Sequence, residues 1–146
     1  METIVVGVDG SNGGGEAVKF AAHEAALRKG KLRIVSAWEI PPQVYAGGLA
    51  PALDQETIDG FGDGAKQVVQ DAIAEARQLE PGVETDGRIA EGQAADVLLQ
   101  EAKEADLIVV GNRGLGGFNS LLLGSVSHQV VQHAPCPVTV VREKKD

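Results

Sequence analysis

The sequence has little cysteine and little positive charge. Cys136 is the only cysteine among 146 residues, so no intrachain disulfide can form and we expect a reducing compartment. Its 13 lysines and arginines are outnumbered by 21 aspartates and glutamates, which gives a net charge of -8. Because nonspecific binding to nucleic acid or to an anionic membrane needs a positive surface, this balance argues against both partners.

Long apolar runs and a basic leader are also missing. The chain enters the apolar stretch 4–8 directly after its first three residues. No run approaches the roughly 20 apolar residues that a membrane helix needs. We therefore expect a cytoplasmic protein that does not associate with membranes. The length suits one domain, residues 1–146, with a sizeable core.

Two common phosphate-binding motifs are absent. The sequence has no G-x-x-x-x-G-K-[S/T] loop, and no G-x-G-x-x-G follows its first predicted strand. These absences argue against a P-loop NTPase and against a dinucleotide-dependent oxidoreductase. No carboxylate pair, catalytic triad or metal-ligand cluster stands out either. The sequence predicts a binding site without an evident general base, and we assign no catalytic or metal-ligating residue.

Five short apolar runs alternate with four helical patterns. The runs that predict strands are 4–8, 32–38, 83–89, 107–110 and 137–141. Helical spacing occurs in 18–25, 65–79, 95–102 and from Leu122 to Val130, whereas the Pro- and Gly-rich stretch 41–51 has no period. Strands separated by helices predict an α/β fold, a single open parallel sheet with right-handed crossovers.

The strand patterns also predict the strand order. The third run alternates apolar with charged residues, and the fifth begins at a proline, so both suit the edges of the sheet. The order 3-2-1-4-5 satisfies both edges and places the switch point between strands one and four. Ligands of open α/β sheets bind there, at the carboxyl ends of the strands. Asp9 and Gly111 would then face each other across a site.

A glycine loop follows the fourth predicted strand. Gly111-Asn112-Arg113-Gly114 is separated by nine residues from Gly124-Ser125, which opens the last helix. Glycines let a backbone approach a phosphate closely, and a helix N-terminus adds partial positive charge. The pattern predicts an anion site, although a glycine-rich connection without a ligand has the same spacing.

This loop closely resembles the ATP-binding signature of the universal stress proteins, and Val6-Gly7-Val8-Asp9-Gly10-Ser11 resembles the family's first-strand signature. The resemblance covers nearly the whole chain. It implies a five-stranded parallel α/β sandwich that binds adenine nucleotides, with Mg²⁺ held through the phosphates of ATP. It also implies a homodimer formed through the last strand. Gly13-Gly14-Gly15 departs from the family, where serine and helix formers are more usual.

The resemblance implies nucleotide contacts at a defined set of positions. They are Asp9, Ala37, Gly111, Gly114, Gly124 and Ser125, with Arg113, Val126 and Ser127 as flanking contacts. Val110 would offer an apolar surface to the base, and Asn112 an amide to a phosphate.

Each side chain also has a purely structural interpretation. Asp9 could form a turn, Ala37 could be an ordinary strand residue, and Val110 could belong to the core. Arg113 could be solvated, while Asn112 could adopt a left-handed turn and Ser127 could cap the last helix.

Three functional alternatives to an ATP-binding regulatory module in the stress response remain open. The chain could bind cyclic AMP or AMP, hydrolyse ATP slowly, or act as an interaction module that needs no nucleotide. The spacing of the glycine loop does not decide between them, nor does it assign a role to residues 41–57.

Overall fold

Five parallel strands form one sheet with helices on both faces. The computed structural model describes residues 1–40, 44, 46–48, 53–112 and 123–142. Their elements are β1 (Thr3–Gly7), α1 (Asn12–Arg28), β2 (Lys31–Trp38), α2 (Gln55–Leu79), β3 (Glu84–Glu91), α3 (Ala94–Ala102), β4 (Leu107–Gly111), α4 (Ser125–His133) and β5 (Val138–Val141). The strand order is β3-β2-β1-β4-β5, and every neighbouring pair is parallel, so the predicted fold class and order are confirmed.

The two central strands are buried on both faces. Ile4 and Val6 of β1 pack into the apolar cluster that α1 and α2 cover, whereas Val5 between them packs into the cluster under α3 and α4. All three side chains are fully buried. Apolar side chains on both faces are what a strand needs when helices cover the sheet on each side. In both strands burial ends at the last residue, Gly7 in β1 and Gly111 in β4, and the loops begin after these glycines.

The observed starts of α2 and α4 differ from the predicted patterns. Helix α2 begins at Gln55, ten residues before the apolar spacing that starts at Ala65. The spacing does not mark this start, because all the buried residues of the helix lie in its later part. Its start is marked by Asp54, which accepts a hydrogen bond from the Thr57 amide at 2.8 Å. Helix α4 begins at Ser125, so Leu123 precedes the helix, and Leu122 lies outside the described residues.

The C-terminus of α1 shows why Lys29-Gly30 ends a helix. Lys29, and not the glycine, adopts the left-handed conformation, with φ of 54°. The Gly30 amide donates to the Ala25 carbonyl at 2.9 Å and the Lys29 amide to the Ala26 carbonyl at 3.2 Å, which is the Schellman pattern. A Cβ on Gly30 would lie 2.5 Å from the Glu2 carbonyl oxygen. The close backbone approach therefore requires glycine at position 30, whereas the unfavourable left-handed conformation is adopted by Lys29.

These opposite constraints predict opposite effects on stability. Lys29→Gly removes a left-handed non-glycine residue and should raise the free energy of unfolding by up to about 1 kcal/mol. Gly30→Ala forces its methyl against a backbone carbonyl and should lower it by about 1–3 kcal/mol. Urea denaturation of both variants checks this. If Gly30→Ala is as stable as wild type, the close approach is not a constraint.

Candidate functional site

The switch point of the sheet lies between β1 and β4. These strands pair directly, with Val6 opposite Val109, while α1 leaves β1 towards one face and α4 packs on the other. A crevice opens where neighbouring strands send their chains to opposite faces, at the carboxyl ends. The loop after β1 contains Asp9, and the loop after β4 begins at Asn112.

The Asn112 backbone joins three elements at this crevice. Its amide donates to the Val141 carbonyl of β5 at 2.9 Å. Its carbonyl accepts from the Gly124 amide at 2.6 Å and from the Ser127 hydroxyl at 3.1 Å. The end of β4 is thus bonded both to the edge strand and to the first turn of α4. We call this set of bonds the Asn112 clasp.

The clasp fixes the direction of the α4 N-terminus. Gly124 is the N-cap residue, with φ of -72° and ψ of 170°, and its carbonyl accepts the His128 amide at 2.9 Å. Its conformation is open to any residue, so its backbone angles do not require a glycine. The amides of Ser125, Val126 and Ser127 belong to the first helical turn, where no intrahelical acceptor exists. Ser125 is exposed, whereas Ser127 is buried.

Ser127 has a structural role in this geometry. Its hydroxyl lies 3.1 Å from both the Asn112 and the Gly124 carbonyl oxygens, and the residue is 2% exposed. The hydroxyl therefore helps to hold the first turn of α4 against the end of β4. Its backbone amide remains part of the helix N-terminus.

Acidic residues are distributed unevenly among the helix starts. Helices α2 and α3 carry an acid in the first turn, Glu56 and Asp96 respectively. The two helices beside the switch point, α1 and α4, carry none. Acids in a first turn neutralise the partial positive charge of a helix N-terminus. Among the helices of the described residues, the first turns of α1 and α4 thus lack this neutralisation in a chain of net charge -8, and the nearest carboxylate to the α1 start is that of Asp9 in the preceding loop.

The backbone of Ala37 faces the same crevice. The β1–β2 ladder ends at Gly7 paired with Val35, and the Val8 amide adds a last bond to the Val35 carbonyl at 2.9 Å. In a parallel ladder alternate residues point their amide and carbonyl to the same neighbour, so Ala37 points towards the β1 side. Strand β2 continues for three residues beyond Val35 and ends at Trp38. The Ala37 donor and acceptor thus lie beyond the end of β1, where a base could pair with them.

The loop after β1 forms a tight turn. The Asp9 carboxylate accepts the Ser11 amide at 2.9 Å, and Gly10 between them has φ of 88°. Asp9 is exposed at the start of α1. Carboxylates accept hydrogen bonds from hydroxyls such as those of a ribose. The turn places this acceptor at the crevice.

Of the remaining predicted contacts, three lie within the described residues and two lie outside them. Val110 is 3% exposed, and its side chain belongs to the core under α3 and α4. Gly111 ends β4, and Val126 is half-buried in the first turn of α4. Arg113 and Gly114 lie outside the described residues. In the described ranges, no group of three His, Cys, Asp or Glu side chains is arranged to hold a metal ion.

Arg33 is a buried cation that does not serve this crevice. Its guanidinium lies 3.2 Å from Asp86, 3.5 Å from Glu101 and 3.6 Å from Glu104. The hydrogen bond to Asp86 raises the pKa of Arg33 above its usual value. These three carboxylates offset the positive charge of Arg33, so it is not available to bind an anionic ligand.

Sequence reasoning missed two parts of the site region. One is the Asn112 carbonyl, because a backbone acceptor leaves no mark on the residue type. The other is the early part of α2, which reaches Trp38 at the end of β2: a Cβ on Gly62 would lie 3.3 Å from the indole. The capping aspartate Asp54, followed by an acid at Glu56, is the signal that could have located this helix start.

The fold and the switch-point crevice define an α/β domain of the kind that binds nucleotides at strand ends. The chain matches the model of the universal stress protein family over residues 1–142. It belongs to this family.

Curated relatives support the same assignment. A universal stress protein of Thermus aquaticus is 37% identical, and the match covers 97% of this chain and 99% of that protein. YxiE of Bacillus subtilis is 32% identical, with 95% and 97% covered. A Mycolicibacterium smegmatis universal stress protein is 34% identical over 97% of this chain but only 46% of its own length. The chain thus spans about half the length of this and other mycobacterial relatives and nearly all of the first two.

Two similar solved structures contain adenine nucleotides. A universal stress protein in complex with cAMP is 30% identical, with a TM-score of 0.70 and 98% of each chain covered. The Archaeoglobus fulgidus protein in complex with dAMP is 25% identical, with a TM-score of 0.69 and coverage of 97% and 98%.

The Asn112 clasp predicts a stability difference between two neighbouring serines. Ser127→Ala deletes the buried hydroxyl and should lower the free energy of unfolding by about 0.5–1.5 kcal/mol. Ser125→Ala deletes an exposed hydroxyl in the same turn and should change it by less than about 0.5 kcal/mol. Urea denaturation measures both. Equal midpoints for the two variants would contradict the structural role of Ser127.

Proposed function

We propose that this protein binds ATP at the switch point and acts as a nucleotide-dependent regulatory module in the stress response. One observation carries the proposal: the two helix starts beside the crevice are the ones without first-turn acids, and the Asn112 clasp holds one of them in place. Similar proteins bound to cAMP and dAMP support an adenine nucleotide. The single cysteine fits a cytoplasmic location.

The phosphates are proposed to bind at the α4 N-terminus. The amides of Ser125, Val126 and Ser127 would donate to phosphate oxygens, and the Ser125 hydroxyl would add a donor at the exposed side of the turn. Gly111 and the Asn112 side chain are proposed to contribute further contacts at this turn. Arg113 and Gly114 belong to the proposed phosphate loop on the sequence pattern alone. Mg²⁺ would be held through the phosphates.

The nucleoside is proposed to lie across the crevice from the phosphates. The Ala37 amide and carbonyl would pair with the adenine edge, and the Asp9 carboxylate would accept ribose hydroxyls. The Val110 side chain, packed in the core, would help to hold the end of β4 near the base. ATP is favoured because two helix starts, α1 and α4, face the crevice without first-turn acids and can stabilise several phosphate charges. Cyclic AMP is the second candidate, since a similar protein is solved in complex with it.

Two substitutions at Ser125 separate the amide from the hydroxyl. Ser125 is the first helical residue, where proline fits, and the extended Gly124 before it has the conformation that proline requires. Ser125→Pro should therefore keep α4 but remove both the hydroxyl and one amide donor, weakening ATP binding about 10–100-fold. Ser125→Ala removes only the hydroxyl and should weaken it by up to about tenfold.

Calorimetric titration with ATP, AMP, cyclic AMP and GTP provides the measurement, and circular dichroism checks that both variants stay folded. Wild type should prefer ATP and release heat on binding. Absence of heat with every adenine nucleotide would refute the site. Unchanged affinity in Ser125→Pro would show that the phosphates do not bind at the start of α4.

We also propose a homodimer formed by β5. The Ile108 amide donates to the Pro137 carbonyl, and the Asn112 amide donates to the Val141 carbonyl. Alternate residues of β5 therefore face β4, and the residues between them, Val138 and Val140, direct their amides to the open edge. All four residues of the strand are half-buried. An open edge of this kind pairs with another strand unless it is blocked. Residues 143–146, which follow the strand in sequence, lie outside the described residues.

Val140→Pro tests this dimer more cleanly than a charged substitution. The Val140 side chain packs against the core under α3 and α4, so a lysine there would also damage the monomer. Proline removes the outward amide while leaving the bonds to β4 in place. Light scattering should show wild type and Val140→Thr, which keeps the amide, at twice the monomer mass, and Val140→Pro near the monomer mass. A monomeric wild type at micromolar concentration would refute the pairing.

A further inference from the structure

The first part of α2 is attached to the protein more weakly than the rest of the helix. Residues 55–64 contain none of its buried residues, which are Ala65, Val69, Ala72 and Ala76. At about 1.5 Å per residue, these ten residues extend about 15 Å from the start of the buried face. Their main helix-stabilising bonds are local, such as the Asp54 cap on Thr57 and the Gln55–Asp59 hydrogen bond at 2.8 Å.

Three glycines weaken this segment further. Gly60, Gly62 and Gly64 each cost about 1 kcal/mol relative to alanine in a helix interior. Nothing lies within 4 Å of a Cβ placed on Gly60 or Gly64, so packing does not require glycine at these two positions. At Gly62 the space is tight, since a Cβ there would lie 3.3 Å from the Trp38 indole. The segment is therefore intrinsically weak as a helix, and apart from the half-buried Ile58, Phe61 and Gly62 its described residues are exposed.

The contact between Gly62 and Trp38 lies beside the proposed nucleotide site. Trp38 ends β2, one residue after Ala37, whose backbone faces the crevice. Further along α2, a Cβ on Gly10 of the Asp9 turn would lie 3.4 Å from Val68. Helix α2 thus connects the end of β2 to the loop after β1, which are the two places proposed to hold the base and the ribose.

We propose that residues 55–64 form a helical flap that closes on bound nucleotide, with the Trp38–Gly62 contact as its latch and Gly64 as its hinge. This inference depends on the proposed nucleotide site. Without nucleotide the flap opens by losing helix, while residues 65–79 stay packed on the sheet. Nucleotide at the Ala37 backbone favours the closed state, because the latch residue Trp38 is the neighbour of the residue that holds the base.

Hydrogen–deuterium exchange of the whole protein tests the flap directly. Without nucleotide, amides of 55–64 should exchange at least tenfold faster than those of 66–79, and saturating ATP should slow the first group selectively. Equally slow exchange in both segments of the free protein would overturn the flap. Selective fast exchange that ATP leaves unchanged, with binding heat present, would overturn its closing on nucleotide.

Gly60→Ala/Gly64→Ala provides the matched variant. Both sites have room for a methyl group, and each substitution favours helix by about fivefold. Exchange of 55–64 should slow by about an order of magnitude in the free protein, and ATP should bind a few-fold more tightly. Gly82→Ala, in the open turn after α2, is the control and should change neither. Unchanged exchange and affinity in the double variant would overturn the flap, whereas absence of binding heat in all three proteins would reject the nucleotide site itself.

Discussion

The candidate site depends on the backbone of one residue, Asn112. Its amide is held by the Val141 carbonyl, and its carbonyl accepts both the Gly124 amide and the Ser127 hydroxyl. Because these bonds tie the end of β4 to β5 and to α4, the α4 N-terminus cannot swing away from the crevice without breaking buried hydrogen bonds. Buried carbonyls left without partners are costly, so the bonds act together. Preorganised amides are what anion binding at a helix start needs.

Charge placement complements this geometry. A strongly acidic chain repels anionic ligands at long range, so an anion site in it must depend on local donors. The first turns of α1 and α4 carry no acids, whereas those of α2 and α3 carry Glu56 and Asp96. Asp9 is the acid that stands at the crevice, and its bond to the Ser11 amide holds it at the turn. A carboxylate there suits hydroxyl groups of a ligand, while the helix starts suit its phosphates.

The sequence predicted the sheet because the apolar patterns of its strands depend on burial alone. The half-polar pattern of β3 and the proline at the start of β5 marked the two edges, and the order predicted from them is the one observed. The start of α2 was missed because residues 55–64 contain no fully buried residue, so no apolar period marks them. Lys29 shows a related limit: the dipeptide marked the helix end, but only the structure shows which residue takes the left-handed conformation. The Asn112 clasp consists of backbone bonds, which no residue pattern encodes.

The central claim is that adenine nucleotides bind between the Ala37 backbone and the first turn of α4. Amide chemical shifts of the ¹⁵N-labelled protein, followed during titration with ATP, test it most directly. The account predicts shifts at Ala37 and at Ser125, Val126 and Ser127, with little change at Ala94 and Ala95, which begin α3 at the same edge of the sheet. Shifts confined to α3, or none at Ser125 to Ser127 while ATP binds, would contradict it.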